Sequence, residues 1–209
     1  PYGEVESRLK TLDKFGIPSV LVDRTSPDGR FSSVSVDDVA GGRIAVQHLI
    51  DSGRQKIAFV GGAMDVPQVR DRLQGARDAM SGRDDLDLRV FETTATTVLE
   101  GRRTGEHIVQ MPLNERPDAV FAANDLTAIG LLQAMVATAD IKVPEDIALI
   151  GYDDIDFASS AIVPLTSVRQ PSKLMGATAL DLLIAQSNGS EDEPKQVVFQ
   201  PELVVRTSA

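Results

Sequence analysis

Cysteine is absent from all 209 residues, which removes disulfides, thiol catalysis, zinc ribbons and cysteine-ligated iron–sulfur clusters together. Histidine is nearly absent. His48 and His107 are the only two, too few for a multi-histidine metal centre. Positive charge is scarce: 21 Lys and Arg stand against 31 Asp and Glu, a formal net charge of −10 that opposes nonspecific grip on nucleic acid. Any DNA-reading surface is therefore expected outside this stretch. No apolar run approaches the ~18 uninterrupted residues that a membrane-spanning helix needs. What remains is ordinary, with 42% hydrophobic and 25% charged residues. That composition supports one generous domain or two small ones and excludes wholesale disorder.

The chain opens on Pro1 inside a helical pattern, Glu4 to Phe15, with Val5, Leu9, Leu12 and Phe15 at helical spacing. Gly16 stops that helix and Pro18 forbids its continuation. SVLVD, Ser19 to Asp23, then reads as a strand. With the first residues already inside a helix, the lack of a leader pattern carries no information about compartment. After a polar turn at Pro27, Asp28 and Gly29, SSVSV alternates as a strand to Val36. Asp37 or Asp38 can cap the next helix, which places Ala40, Ile44, Ala45, His48 and Leu49 on one side. Gly53 ends it.

The rest continues in the same alternation. KIAFVGG is a strand, Val66–Met80 a helix, Leu88–Phe91 a strand and Val98–Met111 a helix. Asp118–Ala122 is a strand, Asn124–Thr138 a helix and Ile147–Ile150 a strand. Ser167–Gln170 is extended, Ser172–Ser187 helical and NGSEDEP a surface turn, with Val197–Phe199 and Leu203–Val205 as closing strands. Alternation at this interval argues for βαβ units and a parallel sheet. Continuous apolar strands such as IAFV and IALI suit a sheet covered on both faces.

Such sheets bind ligands outside the carboxyl ends of their strands. Asp23, Gly61-Gly62, Asn124-Asp125 and Tyr152-Asp153-Asp154 occupy those ends. The double glycine is a phosphate cradle or a point of tight packing; no Walker lysine and no GxGxxG pattern accompany it. Arg72, in RDRLQG, is a surface ion-pair partner or a fork reaching a bidentate ligand. Asn124 and Asp125 are helix-capping residues that also face the ligand end. GYDDID concentrates Asp153, Asp154 and Asp156, which suits a sugar hydroxyl or an amine better than a metal, since EF-hand spacing is missing. His48 falls on the apolar side of its helix and reads as a satisfied core histidine. No GxSxG elbow and no nucleophile with a base can be assembled, so the sequence describes a binder and not an enzyme. It calls for no metal and no cofactor.

Six segments then resemble one family, in order and along nearly the whole chain. They are VSVDDVAGGRIAVQHLIDSGRQKIAFVGG, RDRLQGARDAM, AVFAANDLTAIGLLQAM, VPEDIALIGYDDIDFA, PLTSVRQP and PELVVRTS. Together they resemble the effector-binding core of LacI/GalR-type transcriptional regulators. The resemblance implies an α/β, type I periplasmic-binding-protein-like fold: two lobes, each a mainly parallel sheet flanked by helices, joined by three crossovers around a ligand cleft. It puts residues 1–36 and 168–199 in an N-terminal lobe and 37–167 and 200–209 in a C-terminal lobe. It also implies that the first lobe is incomplete here and that the DNA-binding headpiece and hinge helix lie outside the chain.

The same resemblance carries effector contact onto Asp23, Arg72, Asn124 and Asp153. Two carboxylates, an amide and a guanidinium suit the hydroxyls of a sugar or the edges of a purine. Thr96 departs from the pattern, standing where many members place an aromatic that stacks on the ligand. Phe31 and Phe157 are the only aromatics near the expected cleft, and neither matches that position. Family dimers would use Ile129, Gln133, Ala161 and Ile162; core packing is the alternative role for these residues. The implied protein is a cytoplasmic, homodimeric repressor that senses a small polar metabolite and meets operator DNA through its headpiece, by a ligand-driven population shift. The rival readings are a transporter's solute-binding protein and a sugar- or nucleotide-processing enzyme.

Overall fold

A computed structural model describes residues 5–26, 28–139, 141–189 and 193–209. The chain begins with α1 (Val5–Lys14), β1 (Val20–Val22), β2 (Ser32–Val36), α2 (Asp38–Asp51) and β3 (Lys56–Gly62). It continues through α3 (Pro67–Met80), β4 (Asp87–Thr93), α4 (Val98–Gln110), β5 (Ala119–Ala122) and α5 (Asp125–Ala139). Then come β6 (Ala148–Asp153), α6 (Asp156–Ser159), β7 (Thr166–Arg169), α7 (Ser172–Ser187), β8 (Gln196–Phe199) and β9 (Glu202–Val204). The short α6 has no counterpart in the sequence reading. Glu4, Pro27 and the part of the expected surface turn at 190–192 lie outside the described residues.

Two compact units emerge, and the chain passes between them at Asp37–Asp38, Arg169–Gln170 and Gln200–Pro201. The first unit takes the chain through Asp37 and again Gln170–Gln200. Its sheet has three parallel strands in the order β1-β2-β8. Helix α7 lays Met175, Ala179 and Leu182 on Val34, with Val20, Val197 and Phe199 around them. The alternation expected of SSVSV fails, because all five residues of β2 are buried. Two of its three serines tolerate this through partners: Ser32 Oγ accepts from Gln186 Nε2 at 2.7 Å and from the Lys195 amide at 3.0 Å, and Ser33 Oγ donates to Gln196 Oε1; the buried Ser35 hydroxyl has no partner among the described residues.

The second unit, Asp38–Arg169 with Pro201–Ala209, holds a six-stranded sheet ordered β4-β3-β5-β6-β7-β9. All neighbours run parallel except β9, which is antiparallel to β7. Continuous apolar strands are explained by cover on both faces. Phe59, Phe121, Ile150 and Tyr152 pack on one side with Leu49 and Leu73. Val60, Val120, Ala122 and Leu149 face the other, with Ile108, Leu131 and Met135. Each face is worth roughly 1.5–3 kcal/mol per large side chain removed from water.

Glycine lets the helices on each face close up. A Cβ on Gly42 of α2 would lie 2.0 Å from the Arg72 carbonyl oxygen of α3, and one on Gly75 of α3 would lie 2.0 Å from the Val39 oxygen of α2. The opposite face repeats the arrangement: Gly101 of α4 abuts the Thr127 oxygen and Gly130 of α5 abuts the Val98 oxygen, at 2.1 and 2.0 Å. This interlock corrects the expected inner face of α2. Asp38, Gly41, Gly42, Ala45, Val46, Leu49 and Ile50 are buried, while Ala40, Ile44 and His48 are only partly so. Ala45 and Leu49 lie on the buried face as expected, joined by Val46, Ile50 and the two glycines, while Ala40, Ile44 and His48 fall at its flanks.

Candidate functional site

At the carboxyl ends of β3, β5 and β6 the second unit collects polar groups on a rigid floor. The Gly61-Gly62 pair is part of that floor. A Cβ on Gly62 would fall 1.6 Å from the Thr93 carbonyl oxygen, and one on Gly61 would fall 2.4 Å from the Ala123 Cβ. These glycines draw neighbouring strand ends together.

Arg72 rises from α3 and is only 5% exposed. Its Nε donates to Asp38 Oδ1 at 2.8 Å, its Nη1 donates to the Ala123 carbonyl at 2.7 Å, and its guanidinium carbon lies 3.5 Å from the centre of the Tyr152 ring. The same Nη1 stands 3.7 Å from Asp153 Oδ1. Burial works against the charge on Arg72, but Asp38 and then Asp153 outweigh it and hold the guanidinium more firmly protonated than usual. Burial also pushes the Tyr152 phenol well above its ordinary range, and the nearby negative charge of Asp38 adds to the shift. Arg72 is thus braced by protein before any ligand arrives. The sequence reading missed the brace, since Asp38 was seen only as a capping residue and Tyr152 only as part of GYDDID.

Asn124 follows β5 and caps α5: its Oδ1 accepts the Thr127 amide at 2.9 Å. Its Nδ2 donates to the Thr96 carbonyl at 3.2 Å, which ties the half-buried Thr96 to the same corner. Asp153 ends β6 with φ +101°, and Asp154 follows with φ +50°. Left-handed backbone at two consecutive aspartates costs about 1–3 kcal/mol at each and survives only where surroundings fix it. Here Asp154 Oδ2 accepts from Arg169 Nε at 2.6 Å, and Asp154 Oδ1 forms an ion pair with Arg206 Nη1 at 2.7 Å. Burial would raise the Asp154 pKa, yet the Arg206 and Arg169 guanidiniums beside it hold the carboxyl below the usual range. Asp154 is therefore an anchor. Asp153, whose side chain is 31% exposed, is the carboxylate that a solute can reach.

The structure brings Arg72, Asn124, Asp153 and Thr96 onto one set of strand ends. Asp23 belongs to the first unit, where it ends β1 with φ +58° and donates its amide to the Val34 carbonyl at 2.8 Å. On α5, Ile129 is half-buried and Gln133 exposed; Ala161 packs against the α4–α5 core, and Ile162 is 75% exposed. Phe157 lies on α6, 68% exposed, and Phe31 is half-buried in the first unit. His48 corrects the expectation of a satisfied core histidine: it is half-buried, and its Nε2 is buried with no hydrogen-bond partner among the described residues. Among the described residues no three His, Asp or Glu are grouped to hold a metal ion, and no helix is long and apolar enough to cross a membrane.

A family model described as a periplasmic binding protein-like domain matches residues 46–209. The chain is 37% identical over 204 residues to the HTH-type transcriptional regulator CelR of Thermobifida fusca, covering 94% of this chain and 58% of that protein. It is 36% identical over 211 residues to the ribose operon repressor of Escherichia coli K12, covering 100% of this chain and 61% of that one. Its fold matches a LacI family transcriptional regulator from Enterococcus faecium, solved with bound ribose, with TM-score 0.87 and 27% identity, over 98% of this chain and 75% of that one. The chain therefore spans 58–61% of the length of these two curated relatives.

Proposed function

The chain belongs to the periplasmic binding protein-like domain family, in the branch of the LacI-type transcriptional regulators, and from that membership we propose that it is the effector-binding and dimerisation core of a repressor. Its effector is a small polar metabolite, a sugar first and a nucleobase-like molecule second. Asp153 carries the reading: a partly exposed carboxylate at a strand end, set against a buried guanidinium and beside a helix-capping amide, is an acceptor built for ligand hydroxyls. Asn124 and Thr96 contribute to the same set. Arg72 acts through Asp153 and Tyr152 as well as through any donor it turns toward the ligand. Asp23 is proposed as a further effector-contacting carboxylate.

Two copies pair through Ile129, Gln133, Ala161 and Ile162. Operator DNA is read by a helix-turn-helix segment outside these 209 residues, in the cytoplasm, and ligand shifts the population between conformers of different operator affinity. The chain binds its effector without turning it over.

Calorimetric titration with D-ribose, other free sugars and purine bases tests the reading. One member of the panel is expected to bind. Asp153→Ala should weaken it by about 10- to 100-fold, the loss of a charged hydrogen-bond acceptor. Binding that is unchanged in Asp153→Ala would remove the strand-end site, and turnover of the bound compound would replace the regulator with an enzyme.

A further inference from the structure

The turn that presents Asp153 is held from below by a residue that touches no solvent. Asp125, the first residue of α5, is 0% exposed. Its Oδ2 accepts the Ile155 amide at 2.9 Å, and its Oδ1 accepts the Ser167 hydroxyl at 2.7 Å. Ser167 Oγ in turn accepts the Asp154 amide at 3.1 Å. Both backbone bonds that pin the turn after Asp153 therefore run to Asp125, one directly and one through Ser167. A Cβ on Gly151 would lie 2.1 Å from Asp125 Oδ1, so the carboxyl fits its seat only because that neighbour is glycine.

Three carboxylates meet at this corner with unequal compensation. Asp154 has Arg169 and Arg206, and Asp153 has Arg72. No lysine or arginine nitrogen among the described residues lies within 4.0 Å of Asp125. We propose that Asp125 is a positioning residue for the effector-binding turn and that its proton is part of the site: neutral Asp125 holds Asp153 in its binding position, and ionised Asp125 loosens it and weakens the effector. The proposal rests on the reading of Asp153 as an effector contact.

The chemistry of the corner gives the direction. A neutral Asp125 still accepts the Ile155 amide with one oxygen and donates from the other to Ser167 Oγ, which continues to accept the Asp154 amide. An ionised Asp125 keeps both bonds but adds a buried, uncompensated charge beside Asp153 and Asp154. Burial is the largest influence on the carboxyl; the Ser167 and Ile155 bonds oppose it, Asp153 and Asp154 reinforce it, and Asp125 is pushed up to about 7. A folded-state value above the unfolded one, near 3.9, means that the contribution to stability is full below about pH 4 and is lost as pH rises through about 7. Effector that covers the corner should favour the proton further.

Amide chemical shifts of the 15N-labelled chain, followed from pH 5 to 9 without any effector, test the positioning. Asp153 and Ile155 should move together with a midpoint near 7. Asp125→Asn, which reproduces the neutral hydrogen-bond pattern, should freeze both at their low-pH positions. Ser167→Ala, which removes a bond favouring the ionised form, should move the midpoint upward. The idea is overturned by an Ile155 titration that Asp153 does not share, by a titration that persists in Asp125→Asn, or by a Ser167→Ala midpoint that stays in place. Calorimetry with D-ribose, or whichever panel compound binds, supplies the functional arm: affinity should fall by up to about tenfold from pH 6 to pH 8 in the wild type and stay flat in Asp125→Asn. A panel in which nothing binds defeats the proposed function, while the amide shifts still decide whether Asp125 positions the turn.

Discussion

The two units share one βα grammar and differ in how far their strands are covered. In the second unit every central strand is covered on both faces, and each face is closed by a helix pair whose glycines abut the partner's backbone. In the first unit three strands meet α7 over a small cluster around Val34, and Val22, Val198, Leu180 and Ile184 stay about half exposed or more. The difference teaches where a binding site can borrow precision. Gly42 touches the carbonyl oxygen of Arg72 itself, and Gly101 touches Thr127, whose amide is held by Asn124. The contacts that interlock the helices thus fix the backbone from which the side chains of the proposed effector site are aimed.

The largest expected effect tests that interlock. Gly42→Val places a branched side chain where even a Cβ would be 2.0 Å from a backbone oxygen, and neither helix can yield without parting from the other. A destabilisation above about 4 kcal/mol is expected, read as loss of the second unit's cooperative transition in urea. Near-wild-type melting would show that the glycines are incidental and would break the comparison. Next comes Arg72→Ala. It strands the buried Asp38 carboxylate, only 8% exposed, and removes the cation from the Tyr152 face. About 3–5 kcal/mol should be lost, since removing one partner of a buried ion pair leaves the other uncompensated. A cost below about 1 kcal/mol would mark Arg72 as a ligand-binding fork with little structural role.

The alternating strands and helices were legible because tertiary packing agreed with local pattern: Ser172–Ser187 is helical to the residue, and KIAFVGG is a strand over its full length. Asn124 and Asp153 were also legible as strand-end polar residues, and Arg72 as an arginine on a helix that could turn toward them. What could not be read was which of their groups protein would occupy. Nothing in the local sequence distinguishes Asp38 as a partner for an arginine 34 positions away, or Ser167 as a relay to an aspartate 42 positions away. Those roles arise from long-range register. The inner face of α2 was misread for a related reason: hydrophobicity locates the large side chains, whereas the closest approach between helices is set by residues with none. The burial of β2 was hidden because serine reads as exposed until its partners, Gln186, Lys195 and Gln196, fold onto it from more than 150 positions away.

The smallest expected effect has the opposite sign and sharpens the contrast. Gly176 also sits inside a helix, the fifth residue of α7, but a Cβ there would meet nothing within 4 Å. With no backbone to abut and no positive φ to adopt, its glycine only leaves the unfolded chain freer than alanine would. Gly176→Ala should therefore stabilise the first unit by about 0.5–1 kcal/mol, visible as a rise of a few degrees in its melting transition. The same kind of change, a side chain added to a helical glycine, would thus dismantle one unit and firm up the other. If Gly176→Ala destabilises instead, the outer face of α7 is covered in solution, and the first unit draws on packing beyond the Val34 cluster. Its half-exposed Leu180 and Ile184, on that same helix, would then be the residues to probe for the contact.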